Sequence, residues 1–244
     1  MNSSSTLQGA SGAGTALVTG ATSGIGRAIA LKLLANGYTV YGIGRNESGA
    51  PTHENFHLLL VDLTDASAVE RAVRPIAAEL SLLVNSAGVA YYGPHESLPP
   101  QAIAEMTTVN VTAPMILANL LLPHLRTCAG TIINVSSVTA RSSSNTHACA
   151  YGATKAALSS FSDSLFEEYR KHGVRVITIH PDLTDTNLYR NADFAPKNDP
   201  QYSLSAEEIA DCVLLSLSTR SGMVVTSFTV RPQRNGIDRK PHGE

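Results

Sequence analysis

Apolar positions along the chain alternate between two spacings. Short, nearly continuous apolar runs at Thr15–Thr19, Tyr38–Gly44, Phe56–Val61, Leu82–Val84, Thr131–Val135, Val174–Ile179 and Met223–Val230 have the length of strands covered on both faces. Between them apolar residues recur at helical spacing. Ile25, Ile29 and Leu33 predict a helix that Asn36-Gly37 ends, because Gly tolerates the left-handed cap conformation. Further helices are predicted around Ala66–Glu79, interrupted by Pro75, around Pro100–Leu125 and around Tyr151–His172. Another opens at Ser205, where Ser205-Ala-Glu-Glu208 reads as a capping box. Seven strands alternating with helices, with no internal repeat, predict one α/β domain: a doubly wound, mostly parallel seven-stranded sheet with helices on both faces and right-handed crossovers. The expected domain spans residues 15–232, after a Ser/Gly-rich leader at 1–14 and before a tail at 233–244. Thr184–Leu204 is the one long irregular stretch, and such a loop in a compact domain is usually functional.

Composition narrows the partners. With 43% hydrophobic and 16% charged residues the 244-residue chain is globular, and its net charge of −2 with no basic block argues against nucleic acid. Three scattered cysteines lack disulfide or metal-ligand spacing, and the eight histidines form no HExxH set, so no metal is expected. No apolar run was read as long enough to span a membrane, and the leader is unlike a signal peptide, so a cytoplasmic protein is the expectation.

Three features carry chemistry. The turn Thr19-Gly20-Ala21-Thr22-Ser23-Gly24-Ile25-Gly26 lies between the first strand and the first helix, where glycines let the backbone approach a pyrophosphate and the helix start offers N–H groups. A dinucleotide cradle results. About 20 residues beyond such a turn an NAD site places an acid on the ribose 2′-hydroxyl. Here the second strand ends in Gly44-Arg45, so a 2′-phosphate and NADP(H) are favoured over NAD(H), although Glu47 is close by. Third, Tyr151 and Lys155 lie one turn apart on one face of a helix, and a neighbouring ammonium is expected to lower the phenol pKa toward the range of an acid/base group. That spacing alone is also the spacing of an ordinary exposed helix face.

Taken in order, Thr19-Gly-x-x-x-Gly-Ile-Gly26, Asn85-Ser-Ala-Gly88, Asn110-Val, Ser136-Ser137, Tyr151-x-x-x-Lys155 and the stretch after His180-Pro181 resemble the classical short-chain dehydrogenase/reductase family over about Thr15–Pro232. The resemblance implies a single-domain Rossmann fold and an NADP(H)-dependent interconversion of a carbonyl and an alcohol, with Tyr151 as general acid/base. By the same resemblance Lys155 holds the nicotinamide ribose, Ser137 (or its neighbour Ser136, on the opposite side of the strand) bonds the substrate oxygen, and Asn110 holds a water linking Lys155 to solvent.

It also implies cofactor contacts from Gly20, Ser23, Gly24, Ile25, Gly26, Arg45, Asp62, Leu63, Asn85, Ala87, Gly88, Tyr151, Lys155, Pro181, Thr184 and Thr186. Two departures stand out: Ser86 replaces the second Asn of the family's Asn-Asn-Ala-Gly turn, and Asp182 replaces the Gly that usually follows the proline. Substrate identity is expected from Tyr91–His95, Thr139–His147 and Asn187–Phe194, which suit a medium-sized polar or aromatic carbonyl compound; Arg141 is the candidate anchor for a carboxylate. A homodimer or homotetramer is implied. A non-catalytic NADP(H)-sensing protein on the same fold is the alternative, but such members lose the tyrosine or the lysine.

Overall fold

The computed structural model describes residues 14–240; the expected leader, Gly14 excepted, and the last four residues of the expected tail lie outside them. Seven strands form one sheet in the order β3-β2-β1-β4-β5-β6-β8, comprising β1 (Thr15–Thr19), β2 (Thr39–Gly44), β3 (Phe56–Leu60), β4 (Leu80–Asn85), β5 (Thr131–Val135), β6 (Arg175–Pro181) and β8 (Ser227–Val230). Every neighbouring pair is parallel. The helices are α1 (Gly24–Ala35), α2 (Ala66–Val73), α3 (Pro100–Thr107), α4 (Ala113–Leu125), α5 (Cys149–Tyr169) and α6 (Ala206–Leu217). The fold is a Rossmann fold. Its strand order reverses at β1, flanked by β2 and β4, and in such sheets ligands bind beyond the carboxyl ends of the strands at that point.

The period of two along each strand divides the core. Leu17 of β1, Leu83 and Ile132 face one layer with Met106, Leu117, Leu121 and Leu125 of α3 and α4. Ala16 and Val18, with Leu82, Val84 and Ile133, face the other, packed by Ile29 and Leu33 of α1 and Ile209 and Val213 of α6. Each such fully buried Leu or Ile contributes about 1.5–3 kcal/mol relative to exposure.

Several expectations need correction. The helix expected over Ala66–Glu79 ends at Val73 and tightens into a 3-10 turn at Arg74–Glu79, because Pro75 has no N–H to continue the ladder. The stretch Pro100–Leu125 is, by length and composition, long and apolar enough to cross a membrane, contrary to the expectation; here Met106, Leu117, Leu121 and Leu125 are fully buried in the core. It is also broken by a π turn at Thr108–Thr112. The strand expected from Met223 begins only at Ser227, and α5 starts two residues before Tyr151. Finally, Phe194–Pro196 (β7) of the irregular loop pairs antiparallel with Ile237–Arg239 (β9), so the expected tail carries a strand. At three residues each, neither strand is long enough to show a period.

Candidate active site

The site is built at the carboxyl ends of β1, β4, β5 and β6. Thr19 Oγ1, at the end of β1, accepts the Ser86 and Ala87 N–H groups, each at 3.0 Å, and so ties the turn after β4 to the turn after β1. Gly20 has φ +70°, a left-handed backbone, and a Cβ on Gly26 would lie 2.4 Å from Gly20 O, so only glycine lets α1 start this close to the strand end. The N-cap residue Ser23 makes no side-chain cap, and the first turn of α1 holds no acid, which leaves its N–H groups and dipole end for an anion.

A cleft of about 370 Å³ runs from this turn to the start of α5. It gathers Gly20, Ser23, Gly24, Ile25, Gly26, Arg45, Asp62, Leu63, Ala87, Gly88, Ser137, Tyr151, Lys155, Pro181, Thr184 and Thr186. At the end of β2, Gly44 and Arg45 line it; no carboxylate stands at that strand end. Asp62 accepts the Thr64 N–H and hydroxyl, which hold its carboxyl below the usual carboxylate range, with Arg45 adding to the effect. Asp182, in the position where glycine was expected, accepts the Leu183 N–H at 2.9 Å and stands 3.6 Å from Arg231. The carboxylate is thus engaged locally. Thr184 donates to Asp182 O, and Thr186 caps the short helix Asn187–Asn191 through Leu188 N–H.

Two expected contacts are not brought to the cleft as foreseen. Asn85 is turned into the sheet: its Nδ2 donates to Asn134 Oδ1 at 2.8 Å, and Asn134 donates in turn to Ser162 Oγ. It ties β4 to β5 and α5 instead of facing the cleft. Asn110 lies in the π turn, and its side chain clamps the Val89 peptide from both sides, at 2.9 Å each, and donates to Thr154. Both Nδ2 hydrogens are thereby used, whereas Oδ1 keeps a second acceptor site; Oδ1 and Lys155 Nζ both stand against Gly88, 3.5 and 3.4 Å from where a Cβ would be.

Ser136 and Ser137 part as strand alternation requires. Ser136 Oγ turns to α5, donating to Lys155 O and meeting Ser159 Oγ, whereas Ser137 lies within hydrogen-bonding reach of the Tyr151 phenol. Buried His180 donates from Nδ1 to Ser137 O at 3.2 Å; burial pushes its pKa down and keeps the ring neutral. Tyr151 and Lys155 are both buried, with Nζ 5.9 Å from the phenol ring centroid. Any lowering of the phenol pKa by Lys155 is outweighed by burial. Burial dominates and pushes Tyr151 up, against a smaller opposing effect of the Ser137 bond. Burial likewise pushes Lys155 down to about 8, while its ammonium donates to Val135 O at 2.9 Å. Arg141 points elsewhere, donating to Ser227 Oγ. Tyr92, within the Tyr91–His95 segment expected to set substrate identity, has its ring 5.8 Å from that of Tyr151; sequence reasoning did not single out Lys240, which binds the loop over the site from the expected tail.

The short chain dehydrogenase family model matches residues 14–196. The chain belongs to the short-chain dehydrogenase/reductase family. Among its relatives in the family, an NADPH-dependent 3-dehydrocapnine reductase of Ornithobacterium rhinotracheale is 36% identical over 77% of this chain and 72% of its own length. A serine 3-dehydrogenase of Agrobacterium fabrum is 31% identical over 90% of this chain and 94% of its own. The crystal structure of a short-chain dehydrogenase from Burkholderia cenocepacia in complex with NADP is 28% identical, with a TM-score of 0.78, covering 89% of this chain and 88% of that one. The protein is therefore an oxidoreductase of this family.

Proposed function

We propose that the protein is an NADP(H)-dependent carbonyl reductase or alcohol dehydrogenase in which Tyr151 is the proton-transfer group. One observation carries this reading: Ser137, Tyr151 and Lys155 converge at one end of a cleft whose other end offers an uncapped helix start and Arg45. The cradle fits a dinucleotide, since Gly20 and Gly26 leave no room for side chains and the N–H groups that open α1 receive no side-chain cap. Gly20, Ser23, Gly24, Ile25 and Gly26 would hold the pyrophosphate, Arg45 the 2′-phosphate, Asp62 and Leu63 the adenine, and Ala87, Gly88, Lys155, Pro181, Thr184 and Thr186 the nicotinamide half. When bound, the nicotinamide supplies or accepts the hydride.

The remaining steps belong to the chain. Burial keeps the Tyr151 phenol protonated at neutral pH, so it is a donor to a carbonyl oxygen in the direction of reduction. Ser137 O–H donates to the same oxygen and holds it beside the phenol. The Lys155 ammonium stabilises the tyrosinate left behind, an interaction worth more in a site screened from water than in bulk solvent. His180, through Ser137 O, fixes the peptide that carries the serine. The NADPH named for one relative, the NADP in a solved structure and the Arg45 position support the choice of cofactor.

The test pairs fluorescence titration of NADPH and NADH with turnover of a ketone and aldehyde panel. Wild type binds NADPH in preference to NADH; Arg45→Ala loses about tenfold of that preference, as expected for one charge-assisted contact. Tyr151→Phe keeps NADPH affinity and loses about 10²–10⁴-fold in kcat. Equal affinity for the two nucleotides overturns the cofactor assignment. Tight NADPH binding without turnover in wild type points to a cofactor-sensing protein instead.

A further inference from the structure

Beside Tyr151 stand three half-buried aromatic rings from three segments: Tyr92 from the loop after β4, Tyr189 from the short helix Asn187–Asn191, and Phe194 from β7. Tyr92 is stacked on Tyr189 at 6.0 Å and meets Phe194 edge-on at 5.1 Å; Tyr189 and Phe194 are 5.5 Å apart. Such pairs are mutually stabilising in these geometries. Two of the three rings ride on the irregular loop, and the contacts that hold that loop come from the C-terminal end of the chain. β9 pairs with β7 from Phe194↔Arg239 to Pro196↔Ile237. Lys240 N–H donates to Asp193 O at 2.8 Å, and Arg239 forms an ion pair with Asp193. Lys240 Nζ donates to Tyr189 O at 2.6 Å, placing a cation at the carbonyl end of the short helix. One residue therefore joins the segments that carry Tyr189, through its side chain, and Phe194, through its backbone N–H.

We propose that β9 and Lys240 form a staple that holds Tyr189 and Phe194 against Tyr92 as an aromatic wall of the substrate chamber, and that the substrate carries a flat, uncharged unsaturated group next to its carbonyl. The proposal rests on the carbonyl reading above and names its substrate class. Aromatic faces suit a planar apolar group, and of the nearby cations Arg141 is directed at Ser227, while Arg190 donates to Asn187 O and lines the dinucleotide cleft with Arg45. Lys240 acts only through the loop and is a positioning residue.

Benzaldehyde and pyruvate, each with NADPH, are the probes, on wild type, Phe194→Ala, Lys240→Ala and Lys240→Arg. Wild type favours benzaldehyde over pyruvate in kcat/KM by at least about tenfold, the scale on which one apolar pocket contact discriminates. Phe194→Ala raises the KM for benzaldehyde by about tenfold on the same basis and leaves NADPH affinity unchanged. Lys240→Ala raises that KM several-fold with little change in kcat, and Lys240→Arg restores it. A merely structural lysine would instead lower the melting temperature and the active fraction and leave KM where it was. Absent NADPH binding, or NADPH binding without reduction of any carbonyl, overturns the carbonyl reading and the staple together. Intact turnover with pyruvate preferred, or with the benzaldehyde KM unmoved in both Phe194→Ala and Lys240→Ala, overturns the staple alone.

Discussion

Replacing Lys155 by Met should remove activity and yet make the protein more stable. The ammonium is buried, and its fall from an ordinary value of 10.5 to about 8 corresponds to a cost of about 3 kcal/mol for keeping the charge inside at pH 7. Met, of similar length and uncharged, escapes that cost but forfeits the bond to Val135 O, worth about 1 kcal/mol. The net gain is about 2 kcal/mol, or about 4–8 °C in melting temperature for a domain of this size. Because the folded value lies below the unfolded one, the unfolded chain binds the proton more tightly between pH 8 and 10.5, and wild-type stability rises with pH across that window. The cost is complete below pH 8 and disappears above 10.5, so the advantage of the variant shrinks to nearly nothing by about pH 10. Scanning calorimetry of cofactor-free wild type and Lys155→Met at pH 7 and pH 10 reads this directly. A variant that melts below wild type at pH 7, or that keeps one margin at both pH values, refutes the argument. It would mean that the local bonds of the ammonium outweigh its desolvation.

Three further outcomes follow from the same geometry. Gly26→Ala puts a methyl 2.4 Å from Gly20 O, and the resulting strain should cost about 1–3 kcal/mol in chemical denaturation and abolish NADPH binding; a variant that binds NADPH normally would refute the close-approach argument. Ser137→Ala should cut kcat by about tenfold to a hundredfold with a normal melting temperature, whereas Ser136→Ala, which leaves Lys155 O with the Ser159 hydroxyl alone of the two, should keep kcat and lose about 1 kcal/mol of stability; the reverse pattern assigns the chemistry to Ser136. With Tyr151 pushed up, oxidation of an alcohol needs a phenolate that burial makes scarce at pH 7, so its rate should climb about tenfold per pH unit between pH 6 and 8, while reduction stays level and declines as Lys155 loses its proton near 8; an oxidation rate already level at pH 6 would contradict the burial argument.

How much of this was legible in the sequence depends on whether the information is local. The Gly20–Gly26 turn, Arg45 at a strand end and the Tyr151/Lys155 face are set by short-range geometry, and each lies where periodicity put it, lining one cleft. Asn85 and Asn110 were harder to place, because a side chain at a strand end or in a helix has two sides to choose from. The choice fell to partners far along the chain, Asn134 for one and Val89 for the other. The pairing of β7 with β9 joins residues more than 40 positions apart through three-residue strands, too short to leave a period. Ser136 and Ser137 could be told to face apart from alternation alone, but which one faced Tyr151 required the position of α5.

The phenol and the ammonium show most plainly what spacing can and cannot say. Four residues along a helix bring Tyr151 and Lys155 to one face, and in water the cation would favour the phenolate. Spacing says nothing about the dielectric around the pair. Here α5 presses both groups against the end of β5, and a buried charge of either sign is costly, so burial drives the two pKa values apart: the phenol up, the ammonium down to about 8. The resting pair is a neutral donor beside a cation held at the expense of stability. That is the charge state a carbonyl oxygen requires at the moment it gains electron density, because the proton is already in place and the cation is already there to receive the tyrosinate. The instability of Lys155 and the readiness of Tyr151 therefore have one cause, the desolvation of a pair that only becomes fully complementary once the proton has moved.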